Sequence, residues 1–216
     1  MTYKAVIFDL DGTLLDTLDD LAGAVNRVLA RRGYPQHDAN AYRWFIGDGS
    51  EVLMRRALPP EARTVDIITP CLADLLADYH QHWHDLTRPY EGIPELLTDL
   101  GERGIVMAVV TNKPHQFTHK MMAHYFAETP FYPVFGQQDH LPKKPDPVQA
   151  LRAADKMGVA PANCIFLGDS AIDMQTAQRA GMAPVGAGWG FRPVDELRSA
   201  GAQVVCDHPS ALLTLL

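Results

Sequence analysis

The chain has 216 residues, 47% of them hydrophobic, enough for one sizeable core or a core that carries an insert. Its formal net charge is −7 and it has no run of Lys or Arg, which argues against nucleic acid or an anionic membrane as the main partner. Its three cysteines (Cys71, Cys164 and Cys206) include no CxxC pair; the odd number argues against a disulfide framework or structural zinc and suits a reducing, cytoplasmic setting. No apolar stretch approaches the roughly 20 residues of a membrane span, and the first apolar run is short and broken by Asp9.

Residues 5–8, Ala-Val-Ile-Phe, form a short continuous apolar run, the signature of a strand buried on both faces. Residues 18–32 then carry apolar side chains at helical spacing and end at Gly33-Tyr34-Pro35. A second helical pattern covers 73–83, with no convincing strand between the two. Pro89 and the Gly92-Ile93-Pro94 turn mark a return to a different rhythm. From there, helical patterns at 93–100, 116–126, 147–157 and 172–180 alternate with apolar runs at 105–110, 164–167, 183–185 and 202–205. That alternation implies βαβ units and a parallel sheet. The expected architecture is α/β: a doubly wound, Rossmann-like parallel sheet core from 1–16 and 89–216, with a small helical domain, 17–88, inserted after the first strand.

Four acidic or polar groups stand at the expected strand ends. Asp9 and Asp11 are two apart after the first strand, so their side chains leave on one side, and Gly12 permits a sharp turn. Ligands of doubly wound sheets bind at the carboxyl ends of the strands. Two crowded carboxylates repel unless compensated, and a hard divalent cation with oxygen ligands does so. One carboxylate can then attack phosphorus while the other handles a proton. The alternative is an Asx-turn; an EF-hand loop does not fit, because glycine falls at the fourth position and no closing Glu follows. Asp169 and Asp173, in Gly168-Asp169-Ser170-Ala171-Ile172-Asp173, are four apart and read as one helical face, or as plain N-capping. Thr111 and Asn112 can donate to phosphate oxygens or simply mark a turn. Lys143-Lys144-Pro145-Asp146-Pro147 can hold a compact positive charge in a stiff loop, or is a solvated basic turn.

Together these segments, in this order, resemble the four motifs of the haloacid dehalogenase-like hydrolase superfamily: Val6-Ile7-Phe8-Asp9-Leu10-Asp11-Gly12-Thr13, Thr111, Lys144 before Pro-x-Pro, and Gly168-Asp169 with Asp173. The helical insert resembles that family's cap domain. The resemblance implies Asp9 as nucleophile, forming an aspartyl-phosphate, and Asp11 as acid and then base. It implies magnesium held by Asp9, the Asp11 backbone carbonyl and Asp169, with Asp173 in support, and Thr111, Asn112 and Lys144 at the phosphoryl group. An acid at Asp11 points to phosphatase or phosphomutase rather than dehalogenase or ATPase. Within the superfamily the chain is most similar to bacterial phosphoglycolate phosphatases, through Thr111-Asn112-Lys113-Pro114, the Lys143–Pro147 segment and Trp44-Phe45-Ile46-Gly47-Asp48-Gly49. The last resembles a cap loop that reaches toward substrate, so Gly47, Asp48 and Gly49 are candidate substrate contacts. Phe45 is additional here, and Asp48 replaces an Asn, a change that disfavours a substrate with a second anionic group. The implied partner is a small phosphorylated metabolite, and the implied state a monomer or homodimer. The other readings are a β-phosphoglucomutase-type mutase, a sugar-phosphate phosphatase, or a non-catalytic binding protein on the same fold.

Three further features stand apart. His80 and His84 are one helical turn apart beside His82, with no acid or cysteine partner evident, so a wet surface is favoured over a metal site. Gly186-Ala187-Gly188-Trp189-Gly190 lacks the spacing of a dinucleotide loop. Arg55 and Arg56 are candidates for a substrate carboxylate or a solvated helix face.

Overall fold

The computed structural model describes residues 3–216. In chain order its elements are β1 (Ala5–Phe8), β2 (Leu15–Asp16), α1 (Leu18–Arg31), α2 (Ala39–Phe45), α3 (Ser50–Ala57), α4 (Val65–His82), β3 (Arg88–Pro89), α5 (Ile93–Glu102), β4 (Val106–Pro114), α6 (His115–Tyr125), β5 (Phe131–Gln137), α7 (Val148–Met157), β6 (Cys164–Gly168), α8 (Ala171–Ala180), β7 (Ala183–Ala187), α9 (Val194–Ser199) and β8 (Val204–Cys206). The chain divides into two compact units: one holds the segment up to Leu15 together with Pro89–Leu216, the other Asp16–Arg88.

The first unit is built on a parallel six-stranded sheet of order β5-β4-β1-β6-β7-β8. Strand β1 lies inside the sheet and every one of its residues is buried, which is why it reads as an unbroken apolar run rather than an alternating one. On one face Ala5, Ile7, Ala108, Val110, Cys164 and Phe166 pack against Ala150, Ala153 and Ala154 of α7 and Ala177 and Ala180 of α8. The small side chains on those helices let their backbones approach the sheet closely. On the other face the Phe8 ring meets Phe131 edge-on, with centroids 5.9 Å apart.

The register of this sheet determines where the polar residues emerge. Phe8 is level with Val109 on one neighbour and Leu167 on the other. Asp9 follows immediately, and its N–H continues the ladder by donating to the Leu167 carbonyl at 2.9 Å. The residues after Phe8, Val109 and Leu167 therefore share one carboxyl edge.

The second unit is helical. Helix α1 packs on α4; the buried residues of α1 include Leu21, Val25, Val28 and Leu29, and those of α4 include Ile68, Cys71, Leu75 and Tyr79. Buried Asp78 accepts from Arg27 at 2.6 Å and from Arg31 at 2.9 Å. Asp20, buried in the first turn of α1, accepts from the Leu86 and Thr87 N–H groups and from the Thr87 hydroxyl, at 2.7–3.1 Å. It thereby fastens the stretch that leads out of this unit.

Several elements differ from the sequence reading. Helix α4 starts at Val65 rather than at 73, because Pro70 inside it masks the pattern. An interior proline removes one hydrogen bond and costs about 3 kcal/mol; the buried face through Cys71, Leu75 and Tyr79 offsets it. Helices α2, α3 and α9 are short, at 7, 8 and 6 residues, and give little periodicity to detect. Strand β5 contains Pro133 and Gly136, which weaken its strand signal, and it occupies an edge position where a proline is tolerated. No helix among the described residues is long and apolar enough to cross a membrane.

Candidate active site

The carboxyl edge of the sheet gathers a set of buried charges. Asp9 follows β1, Asp169 follows β6, and Asp173 sits in the first turn of α8, the helix that β6 feeds. Each offers a carboxylate oxygen, and these atoms lie within 4.8 Å of one another. Lys144, with a side chain only 3% exposed, places its Nζ 2.6 Å from Asp173 Oδ1 and 2.9 Å from Asp9 Oδ1. The Lys144 ammonium also lies over the Phe166 ring, 5.5 Å from its centroid, which shields it from water on that side.

Three carboxylates and one ammonium in a dry site leave a surplus of two negative charges if all are ionised. Burial penalises that surplus. It pushes the Asp9 carboxyl up to about 6, reinforced by the Asp173 charge and opposed by Lys144 and a hydrogen bond from Thr111. Asp169 is raised well above the usual carboxylate range, first by burial and then by the charges of Asp173 and Asp9. Burial alone would lower Lys144, but the charges of Asp173 and Asp9 outweigh it and hold the ammonium above its ordinary value. The buried Asp9 Oδ1 atom accepts no well-aligned hydrogen bond; its contact with Lys144 is that of an ion pair. An all-oxygen donor set, a twofold negative surplus and an under-used carboxylate oxygen fit a hard divalent cation.

The supporting residues explain how this crowding is held. Asp173 is part of a cap as well as of the cluster: its Oδ2 accepts from the Ser170 N–H at 3.1 Å and from the Ser170 hydroxyl at 2.7 Å, which leaves Oδ1 to Lys144. The helix begins only at Ala171, so Asp169 lies outside it. The two acids thus meet across a capping turn, not along the single helical face that their spacing suggested. Asp169 Oδ2 accepts from the Phe191 N–H at 2.7 Å. Gly12, at φ +80°, and Gly190 both lie so close to Asp169 that a Cβ on either would overlap it. Trp189 donates its indole N–H to the Thr13 carbonyl at 3.0 Å. The segment 189–191 therefore clamps Asp169 against the turn after β1, a role that its glycine-rich sequence alone did not disclose.

Thr111 was expected at a strand terminus, but β4 runs on to Pro114 because β5 continues to pair with it, with a register shift after Val110. Thr111 is buried there and its hydroxyl accepts from the Lys113 N–H at 3.3 Å. Asn112 brackets Lys144: its amide nitrogen donates to the Lys144 carbonyl at 3.1 Å, and its oxygen accepts from the Lys144 N–H at 2.8 Å. The basic loop is thus fixed by a side chain on the neighbouring strand as well as by its prolines. Asp11 stands outside the three-carboxylate cluster, and both its oxygens receive the Lys113 ammonium, at 2.9 and 3.2 Å. Lys113 is buried; the sequence places it in the Thr111-Asn112-Lys113-Pro114 segment that carries the family resemblance, without assigning it a role.

Gly47, Asp48 and Gly49 belong to the other unit. There Asp48 pairs with Arg56 at 2.6 Å, and the same guanidinium donates to the Phe45 carbonyl at 3.1 Å. Arg55 pairs with Glu51 at 3.0 Å along α3. His82 pairs with Asp85 at 2.7 Å and His84 stacks on Trp83; none of the three histidines joins a three-ligand cluster among the described residues.

Comparison with known proteins matches residues 6–187 to the haloacid dehalogenase-like hydrolase family. A phosphoglycolate phosphatase of Pseudomonas putida is 36% identical over 97% of this chain and 78% of that protein. An N-acetylmuramic acid 6-phosphate phosphatase of Pseudomonas aeruginosa is 34% identical over 100% of this chain and 96% of that protein. Among solved structures, a predicted phosphoglycolate phosphatase from Haemophilus somnus superposes with a TM-score of 0.91 at 29% identity, covering 99% of this chain and 98% of that one. These relatives are phosphoric monoester hydrolases by name, and the chain shares that enzyme class.

Proposed function

Because the chain belongs to the haloacid dehalogenase-like hydrolase family, we propose that it is a magnesium-dependent phosphatase that cleaves a small phosphorylated metabolite through an aspartyl-phosphate on Asp9. The observation that carries this reading is the buried grouping of Asp9, Asp169 and Asp173 around Lys144. Asp9, Asp169 and the Asp11 backbone carbonyl would hold the cation, with Asp173 supporting. When bound, the cation offsets the carboxylate surplus and polarises the phosphoryl oxygens. Asp9 attacks phosphorus in line with the ester oxygen. Lys144 and Thr111 neutralise and orient the phosphoryl group, where positioning and electrostatics supply most of the rate. Asp11 gives its proton to the departing alcohol and then takes one from the water that hydrolyses the aspartyl-phosphate. The three free, buried cysteines agree with a cytoplasmic location.

The Pseudomonas putida relative supports phosphoglycolate as substrate. A second reading, a sugar phosphate, is supported by the Pseudomonas aeruginosa relative; the Asp48 carboxylate is already paired with Arg56, so its charge does not by itself exclude phosphoglycolate. A panel of phosphoglycolate and hexose 6-phosphates, assayed for magnesium-dependent phosphate release, tests both. A higher kcat/KM on phosphoglycolate sinks the second reading. No release from any phosphomonoester, p-nitrophenyl phosphate included, sinks the phosphatase itself.

A further inference from the structure

Lys113 has no part in the reaction described above, yet it is built into the same edge of the sheet. It follows Thr111 by two residues on β4, in the stretch where the pairing with β5 shifts register. Its backbone is held at both polar groups: the N–H donates to Thr111 Oγ1 at 3.3 Å, and the carbonyl accepts from the buried Thr118 hydroxyl at 3.2 Å. Its side chain is only 2% exposed, and its ammonium reaches both oxygens of Asp11, whose side chain is 13% exposed. A surface ion pair has neither this burial nor this two-point grip.

We propose that Lys113 is a positioning residue that holds the carboxyl group of Asp11 in line with the leaving oxygen and outside the Asp9–Asp169–Asp173 cluster. The inference rests on the reading of Asp11 as the acid. A carboxylate next to three others and a cation has another place to go: it can turn and become a further ligand, and proton donation is then lost. An ammonium held by a buried strand prevents that turn. The strand fixes where the ammonium sits, and its contacts with both Asp11 oxygens fix where that carboxyl group points. In the first step a bond forms between Asp9 and phosphorus as the bond from phosphorus to the ester oxygen breaks. The electron pair of that bond goes to the ester oxygen, which takes the proton from Asp11. The more basic that oxygen, the more the step depends on where Asp11 points.

The test compares kcat/KM on p-nitrophenyl phosphate, whose leaving group needs little protonation, with kcat/KM on phenyl phosphate and an alkyl phosphate. The variants are Lys113→Met, Lys113→Gln, Lys113→Arg and Asp11→Asn. The ratio of two substrates on one preparation does not depend on how much of a variant is folded. Losing an acid costs about 10²–10⁴-fold where proton transfer matters. Lys113→Met and Lys113→Gln are expected to lose at least about tenfold more on the alkyl phosphate than on p-nitrophenyl phosphate, a fraction of that range, with part of the loss restored in Lys113→Arg. If Asp11→Asn shows this dependence and the Lys113 variants fall equally on all three substrates, the positioning role is overturned and Lys113 is a structural partner only. If Asp11→Asn itself falls equally on all three, the acid role beneath the inference is what fails.

Discussion

Replacing Lys144 with methionine keeps a side chain of similar length and removes the ammonium that faces both Asp9 and Asp173. The Lys144 and Asp173 side chains are 3% and 1% exposed, and that of Asp9 is 11% exposed, so water cannot take over the lost interaction. Breaking a buried pair by removing one partner costs about 3–5 kcal/mol. For a chain of this size that is a fall in Tm of roughly 6–20 °C. The cost depends on charge, and the charge depends on pH. The Asp9 carboxyl is raised from 3.8 to about 6 with Lys144 present, so its ionised form already weighs against the fold at neutral pH. A carboxyl raised in this way favours the folded state below its unfolded value, and that advantage is lost as pH rises through about 6. Thermal unfolding in chelator, followed by calorimetry for wild type and Lys144→Met, should show a large deficit at pH 7.5 and a smaller one at pH 5, where Asp9 takes up a proton. An equal deficit at both values, or none at pH 7.5, would refute the electrostatic account of this cluster.

Gly190→Ala sets a methyl group against Asp169 and the Gly12 carbonyl, and should raise the magnesium concentration for half-maximal activity by about 10–100-fold, the usual effect of disturbing the support of a metal ligand. Protons compete with the cation for Asp9, so magnesium affinity measured by titration calorimetry should fall as pH drops below about 6, by about tenfold per pH unit for one proton displaced; affinity unchanged down to pH 5 contradicts this. Asp20→Ala leaves the Leu86 and Thr87 N–H groups without their buried acceptor, which costs about 1–3 kcal/mol and should lower the melting temperature measured by circular dichroism.

Much of the first unit is readable in the sequence because its determinants are local. Residues 5–8 and 164–167 are apolar without interruption and end in Asp and Gly-Asp, so both the strands and the polar residues at their ends can be located. Strand β5 cannot, since Pro133 and Gly136 weaken the pattern and its pairing with β4 is a long-range event. The same division runs through the candidate site. Asp9, Lys144, Asp169 and Asp173 lie in short segments whose residue types already suggest chemistry, and the fold brings those four together. Lys113, Trp189 and Gly190 act through partners about 100 or more residues away, at Asp11, Thr13 and Gly12, and no local pattern announces such contacts. The capping turn that lets Ser170 hold one oxygen of Asp173 while Lys144 takes the other is likewise a property of the packed loop, not of the spacing between two acids.

As the proposed nucleophile, Asp9 would carry the phosphoryl group during turnover. Rapid mixing with p-nitrophenyl phosphate and magnesium, followed by a hydroxylamine quench and peptide mass spectrometry, reads this directly, because an acyl phosphate is converted to a hydroxamate at the residue that bore it. The expected result is a hydroxamate at Asp9 in the wild type, and neither hydroxamate nor turnover in Asp9→Asn. Turnover with no modification at Asp9, or an Asp9→Asn enzyme that works at the wild-type rate, would contradict it.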